Sequence, residues 1–239
     1  VAELRSLEYA HAGLVLKGEL ALPSGPGPHP GVLVMHDAHG LGELVRVRAR
    51  RLAEAGYVAF ATDMYGAGRH FADPKDCGPL FAEMQASPDL LRGRALAGLE
   101  VLRARPEVDV GRLGAIGFCF GGQCVIELAR SGADLRAVVS FHGLLTTQRP
   151  ARAGEVQAKV MALCGGKDPY APAEHIEGFQ AEMTAAGADW QTTVYGEAWH
   201  AFTDPNADKM PVPGVRYDPL VDKLSWAQAT ALLDAVVRG

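Results

Sequence analysis

Short apolar runs of strand length, each followed by a segment with helical spacing, constrain this chain more than any other feature. Gly31-Val32-Leu33-Val34-Met35 is one such run and suits a strand buried on both faces of a sheet. Glu43 to Ala55 follows, with Leu44, Val47 and Leu52 at helical spacing, and stops at Gly56. Tyr57 to Ala61 reads as the next strand, Asp89 to Ala104 as a helix, Arg112 to Phe118 as a strand and Cys119 to Arg130 as a helix. Strands at 136–141, 159–164 and 190–195 follow, with helices near 173–186 and 219–237. This alternation predicts an α/β fold with a largely parallel, doubly wound sheet and helices on both faces. Right-handed crossovers then bring the functional loops to the carboxyl ends of the strands. The opening segment, which breaks at Pro23-Ser24-Gly25-Pro26-Gly27-Pro28, predicts an N-terminal antiparallel hairpin and a turn-rich loop. Residues 63–88, rich in Gly, Pro and Asp, read as a lid-like loop region within one domain spanning 1–239.

Composition narrows the function classes. At 239 residues, scaling predicts roughly 10,000 Å² of folded surface, enough burial for one well-developed core. Hydrophobic residues at 48% and charged residues at 21% exclude a disordered chain. A net charge of −5 gives no electrostatic footprint for nucleic acid. No apolar run approaches the ~18 residues of a membrane span. The first twenty residues lack a basic region followed by an apolar one, so the cytoplasm is the expected compartment. Cys77, Cys119, Cys124 and Cys164 have no CxxC spacing, so neither a zinc ribbon nor a thioredoxin-type site is expected.

The sharpest local signal is Gly117-Phe118-Cys119-Phe120-Gly121-Gly122, between a predicted buried strand and a predicted helix. It matches the nucleophile elbow G-x-nucleophile-x-G, with cysteine as nucleophile. The turn is so tight that flanking side chains would clash, and the helix N-terminus favours thiolate over thiol. Such a nucleophile needs an acid and a histidine downstream, in that order. Asp168 follows the strand at 159–164 and His200 follows the strand at 190–195, both on the same sheet edge as Cys119. Asp168 would orient His200, and His200 would take the thiol proton and later activate water. The backbone N–H groups of Phe120 and Ala38 are the expected oxyanion donors.

These pieces resemble the dienelactone hydrolase family, a branch of the α/β-hydrolase superfamily. The matching stretches are VLVMHDAHGLGE, RRLAEAGYVAFATDMYG, GAIGFCFGG, GGKDPYAP and EAWHAF. The resemblance implies a Cys119–His200–Asp168 triad with no cofactor or metal. It also implies that Asp37 is a carboxylate contacting the resting thiol, where the family usually has a glutamate one methylene longer. Family members that cleave dienelactone hold the substrate carboxylate with arginines. One such position is Asp204 here, and Arg69, Arg92 and Arg94 offer no clear match for the other. An acid beside the pocket repels an anionic lactone.

The expected substrate is therefore a neutral aryl or alkyl ester, thioester or lactone, handled by a monomer or homodimer. Phe118, Trp199, Phe202 and Tyr65 are the expected aromatic contacts to it. Because a phosphoryl oxygen can occupy an oxyanion hole, activated neutral aryl phosphotriesters are an expected side substrate. The competing readings are a non-catalytic ligand-binding protein and a thiol-redox protein on a hydrolase fold. A metal site at His36, Asp37 and His39 is disfavoured, since neighbours along one loop rarely converge on an ion. The remaining histidines, His142 among them, read as ordinary.

Overall fold

The computed structural model describes residues 2–239. The strands are β1 (Leu4–His11), β2 (Leu14–Ala21), β3 (His29–Met35), β4 (Val58–Ala61), β5 (Val108–Phe118), β6 (Ala137–Phe141), β7 (Lys159–Gly165) and β8 (Trp190–Tyr195). They form one sheet in the order β1-β2-β4-β3-β5-β6-β7-β8. The hairpin β1–β2 turns at Ala12 and Gly13, with φ of +50° and +78°, the backbone handedness that matches strand twist. β2 pairs antiparallel with β4, and every later pairing is parallel. The expected α/β-hydrolase architecture with its N-terminal antiparallel hairpin is therefore present.

Strand parity decides which side chains meet which helices. Val32 and Val34 face one side of the sheet, where α1 (Glu43–Glu54) and α6 (Pro219–Leu233) cover them with Val45, Leu52 and Trp226. Leu33 and Met35 face the other side, under α2 (Pro74–Ala86), α3 (Pro88–Arg103), α4 (Phe120–Arg130) and α5 (Ala173–Ala185). Each fully buried aliphatic or aromatic side chain contributes about 1.5–3 kcal/mol.

α4 is buried all round, charged residues included. Arg130 is 1% exposed and is held by Glu127 at 2.8 Å and Glu182 at 2.7 Å, while Arg92 binds Glu127 from α3 at 2.7 Å. This network fixes the helix that begins at the cysteine.

The structure corrects three expected boundaries. Residues 63–88 are not a continuous loop, because α2 occupies 74–86. Asp73 caps it by accepting Lys75 N–H at 2.9 Å, and Pro74 starts it, but Gly78 and Pro79 hide its periodicity. The preceding loop is wound around Asp63, whose carboxylate accepts N–H groups from Lys17, Tyr65, Gly66 and Gly68. β5 begins at Val108 rather than Arg112, because His29-Pro30 pair with Val108-Asp109 before a register shift. The last helix gives way to a π-helical turn over Asp234–Arg238. Among the described residues, no helix is long and apolar enough to cross a membrane.

Candidate active site

The chain crosses from one half of the sheet to the other between β3 and β5, where open α/β sheets place their sites. Cys119 stands there at φ +53°, ψ −114°, a conformation costly for a residue with a side chain. The turn closes only because Gly117 and Gly121 lack side chains. A Cβ on Gly117 would lie 2.0 Å from Gly121 O, and one on Gly121 would lie 2.2 Å from Met35 O.

The loops after β7 and β8 bring in the other two residues. Asp168 Oδ2 lies 2.8 Å from His200 Nδ1, and Asp168 Oδ1 accepts the N–H groups of Tyr170 at 2.8 Å and Ala171 at 3.3 Å. Both carboxylate oxygens are thus committed, and the imidazole is aimed by its bond to one of them. His200 is anchored through its own backbone to Gly214 O and Arg216 N–H. Burial pushes the His200 pKa down, but the neighbouring Cys119 charge and hydrogen bond, together with Asp168, raise it to about 10.

The N–H groups of Phe120 and Ala38 have no acceptor among the described residues. The N–H of Cys119 is already used, donating to Phe141 O at 3.0 Å and to His142 Nδ1 at 3.2 Å.

Asp37 sits half-buried in the wall of the same cavity. Its Oδ1 accepts His39 N–H at 2.7 Å, so its hydrogen bond goes to the loop rather than to the thiol. Burial raises its pKa to about 6; the charge and N–H of His39 oppose the rise and Asp204 adds to it. His36 is locked as a neutral ring, donating from Nδ1 to Asp37 O at 2.6 Å and accepting Met64 N–H on Nε2 at 3.0 Å. Neither nitrogen is free for a metal.

Cys119, His200, Asp37 and Ala38 all line a cavity of about 230 Å³. Its remaining walls are mostly apolar and come from α2 (Cys77, Phe81), from Leu44 and Leu144, and from Met210, Val212 and Val215. Among the described residues, no lysine or arginine lines it, and Asp204 does.

The aromatic contacts expected from sequence are not there. Phe118 points to the opposite face of the sheet and stacks on Phe141 at 4.7 Å. Phe202 packs behind the site against His142 and Tyr195. Tyr65 is fully buried beneath Phe120, with its hydroxyl unpaired. Trp199 lies in a separate surface depression with Lys167, Glu197 and Arg216. Phe81 and Tyr170 supply the aromatic wall instead. Arg69, Arg92 and Arg94 bind Gly66 O, Glu127 and Met64 O, away from the cavity. His142, read as ordinary, lines the cavity beside His200, with ring centroids 5.2 Å apart. Its place just after β6, the kind of slot that Cys119 fills after β5, was the signal for it.

A strained cysteine elbow with an Asp–His pair on the carboxyl edge of such a sheet is the arrangement of the α/β-hydrolase class. The chain belongs to the dienelactone hydrolase family, whose pattern matches residues 16–237. It is similar to the solved structure named m3DLH, at 40% identity over 98% of each chain with a TM-score of 0.93. A dienelactone hydrolase-like promiscuous phosphotriesterase from metagenomic libraries is 37% identical over 99% of each chain, with a TM-score of 0.92. A Yersinia pestis protein named "Putative carboxymethylenebutenolidase" is 33% identical over 194 residues, covering 77% of this chain and 72% of that one.

Proposed function

We propose that this dienelactone hydrolase-like hydrolase cleaves neutral carboxylic esters through a thioester on Cys119. One observation carries the reading: Cys119 and His200 line the same mostly apolar cavity, His200 is held by Asp168 at 2.8 Å, and the N–H groups of Phe120 and Ala38 are unpaired. In the proposed cycle the Cys119 thiolate attacks the ester carbonyl, and the N–H groups of Phe120 and Ala38 take the developing oxyanion. His200 holds the thiol proton and delivers it to the departing alkoxide. With the alcohol gone, His200 removes a proton from water, which attacks the thioester and releases the acid.

The cavity lining supports neutral substrates. Asp37 and Asp204 line the cavity and disfavour an anionic ester, and among the described residues no lysine or arginine lines it to offset them. Activated aryl phosphotriesters fit the same machinery, since a P=O oxygen can take the oxyanion position, and the metagenomic relative bears that activity in its name.

The test is p-nitrophenyl acetate turnover by the native protein and by Cys119→Ala, with EDTA present and intact mass followed during turnover. An acetyl adduct on Cys119, with turnover lost in the alanine variant, is the expected result. Undiminished turnover in Cys119→Ala overturns the cysteine mechanism. Paraoxon cleavage that is no faster than with Cys119→Ala removes the phosphotriester arm alone.

A further inference from the structure

His142 is a buried imidazole that the triad leaves without a task. It follows β6 at φ +38°, a backbone conformation that is strained for a histidine. Its hydrogen bonds fix its state. Nδ1 receives the backbone N–H of Cys119 at 3.2 Å, so that nitrogen carries a bare lone pair. Nε2 then bears the proton and donates to Thr203 Oγ1 at 2.8 Å. Burial and the charge of His200 hold the ring neutral, with its pKa well below the ordinary histidine value.

The two partners belong to the two halves of the reacting pair. Cys119 is the nucleophile, and its N–H belongs to the strained elbow itself. Thr203 is three residues beyond His200, and its carbonyl is held from α1 by Arg48 at 3.1 Å. The His142 ring also lies edge-to-face against His200, at 67° between planes. One ring therefore touches the elbow, the base and the loop that carries the base.

We propose that His142 is a positioning residue that fixes the distance between the Cys119 sulfur and His200 by clamping the elbow N–H on one nitrogen and Thr203 on the other. This rests on the cysteine mechanism above. A group that sets this distance acts on the acylation step and leaves substrate binding nearly untouched. A displacement of about 1 Å between reacting groups costs about 100-fold in rate.

The experiment measures the acetylation rate of Cys119 by p-nitrophenyl acetate in stopped flow, and in parallel its alkylation by iodoacetamide. The variants are His142→Leu, His142→Asn, Thr203→Val and the double variant His142→Leu/Thr203→Val. His142→Leu should slow acetylation about 10- to 100-fold with KM within about twofold. Thr203→Val should act in the same direction, and the double variant should be no slower than His142→Leu. His142→Asn should recover part of the loss, since its Oδ1 can accept the Cys119 N–H. Wild-type acetylation in His142→Leu, additive losses in the double variant, or an asparagine variant no better than leucine each overturn the proposal. If His142→Leu does not fold, the Thr203→Val and His142→Asn rates decide. Absence of acetyl-Cys119 in the native protein would sink the cysteine mechanism instead, and the alkylation rates would still report whether His142 sets the thiol's reactivity.

Discussion

Asp37→Asn should make the protein more stable at alkaline pH and leave it unchanged in acid. Burial in the cavity wall raises the Asp37 pKa to about 6 from an ordinary 3.8, against the pull of His39 and with help from Asp204. A carboxyl raised in the folded state holds its proton more tightly there than in the unfolded chain. Its contribution therefore favours folding below the unfolded value and is lost as pH climbs through about 6. A shift of about two units corresponds to about 3 kcal/mol. Asp37 is only half-buried and faces an open cavity, so solvent screening trims this to about 1–2 kcal/mol. Asparagine keeps an oxygen for the 2.7 Å bond from His39 N–H, so the variant removes the charge without removing the contact.

The assay is urea unfolding of native protein and variant at about pH 3, 5 and 8. The variant should exceed the native protein by about 1–2 kcal/mol at the highest pH, by less in the middle, and by nothing at the lowest. Asp204→Asn, by removing the like charge, should move the transition toward lower pH. Equal stabilities at about pH 8, or a gain that persists at about pH 3, would refute the electrostatic argument.

Two further outcomes follow from charges elsewhere in the fold. Cys119→Ala should lower the His200 pKa from about 10, because the cysteine charge gives the strongest upward push on that ring; an imidazole NMR titration that leaves it in place contradicts the assignment. Arg130→Ala removes the cation from Glu182 and leaves Glu127 with Arg92 alone, and should cost about 3–5 kcal/mol in urea unfolding, whereas a loss under about 1 kcal/mol would mean that the network is dispensable.

The parts of this site that were legible in the sequence are those set by local geometry. Cys119, Asp168 and His200 each stand just past a strand, and a parallel sheet brings such loops to one edge whatever the helices do. The glycines were legible because a side chain at 117 or 121 would clash with backbone, not with a distant side chain. The cavity wall was not legible, because it is assembled from segments far apart in the chain: α2, whose glycine and proline hide a helix, and the excursion carrying Met210, Val212 and Val215. Proximity in sequence misled for the aromatics. Phe118 adjoins Cys119, yet strand parity sends it with Ile116 to the face covered by α1 and α6. Phe202 is two residues from His200 but packs behind it.

The charge balance of the site also bears on how one histidine could serve both halves of the proposed cycle. His200 is 5% exposed and would lose its proton on burial alone, so its imidazolium depends on Cys119 and Asp168. Acylation turns the thiolate into a neutral thioester and removes the stronger of these supports. Asp168 remains at 2.8 Å and keeps the ring aimed, while burial now works against the charged form. The same ring that holds a proton before acylation is thereby disposed to give it up to the leaving alkoxide and then to accept one from water. A second cation in the cavity would lower the His200 pKa before acylation as well as after, and so would disfavour the protonated ring that the first step needs. A neutral His142 at 5.2 Å, and the absence of lysine and arginine from the lining, are consistent with a site whose proton traffic is governed by the charge on one sulfur.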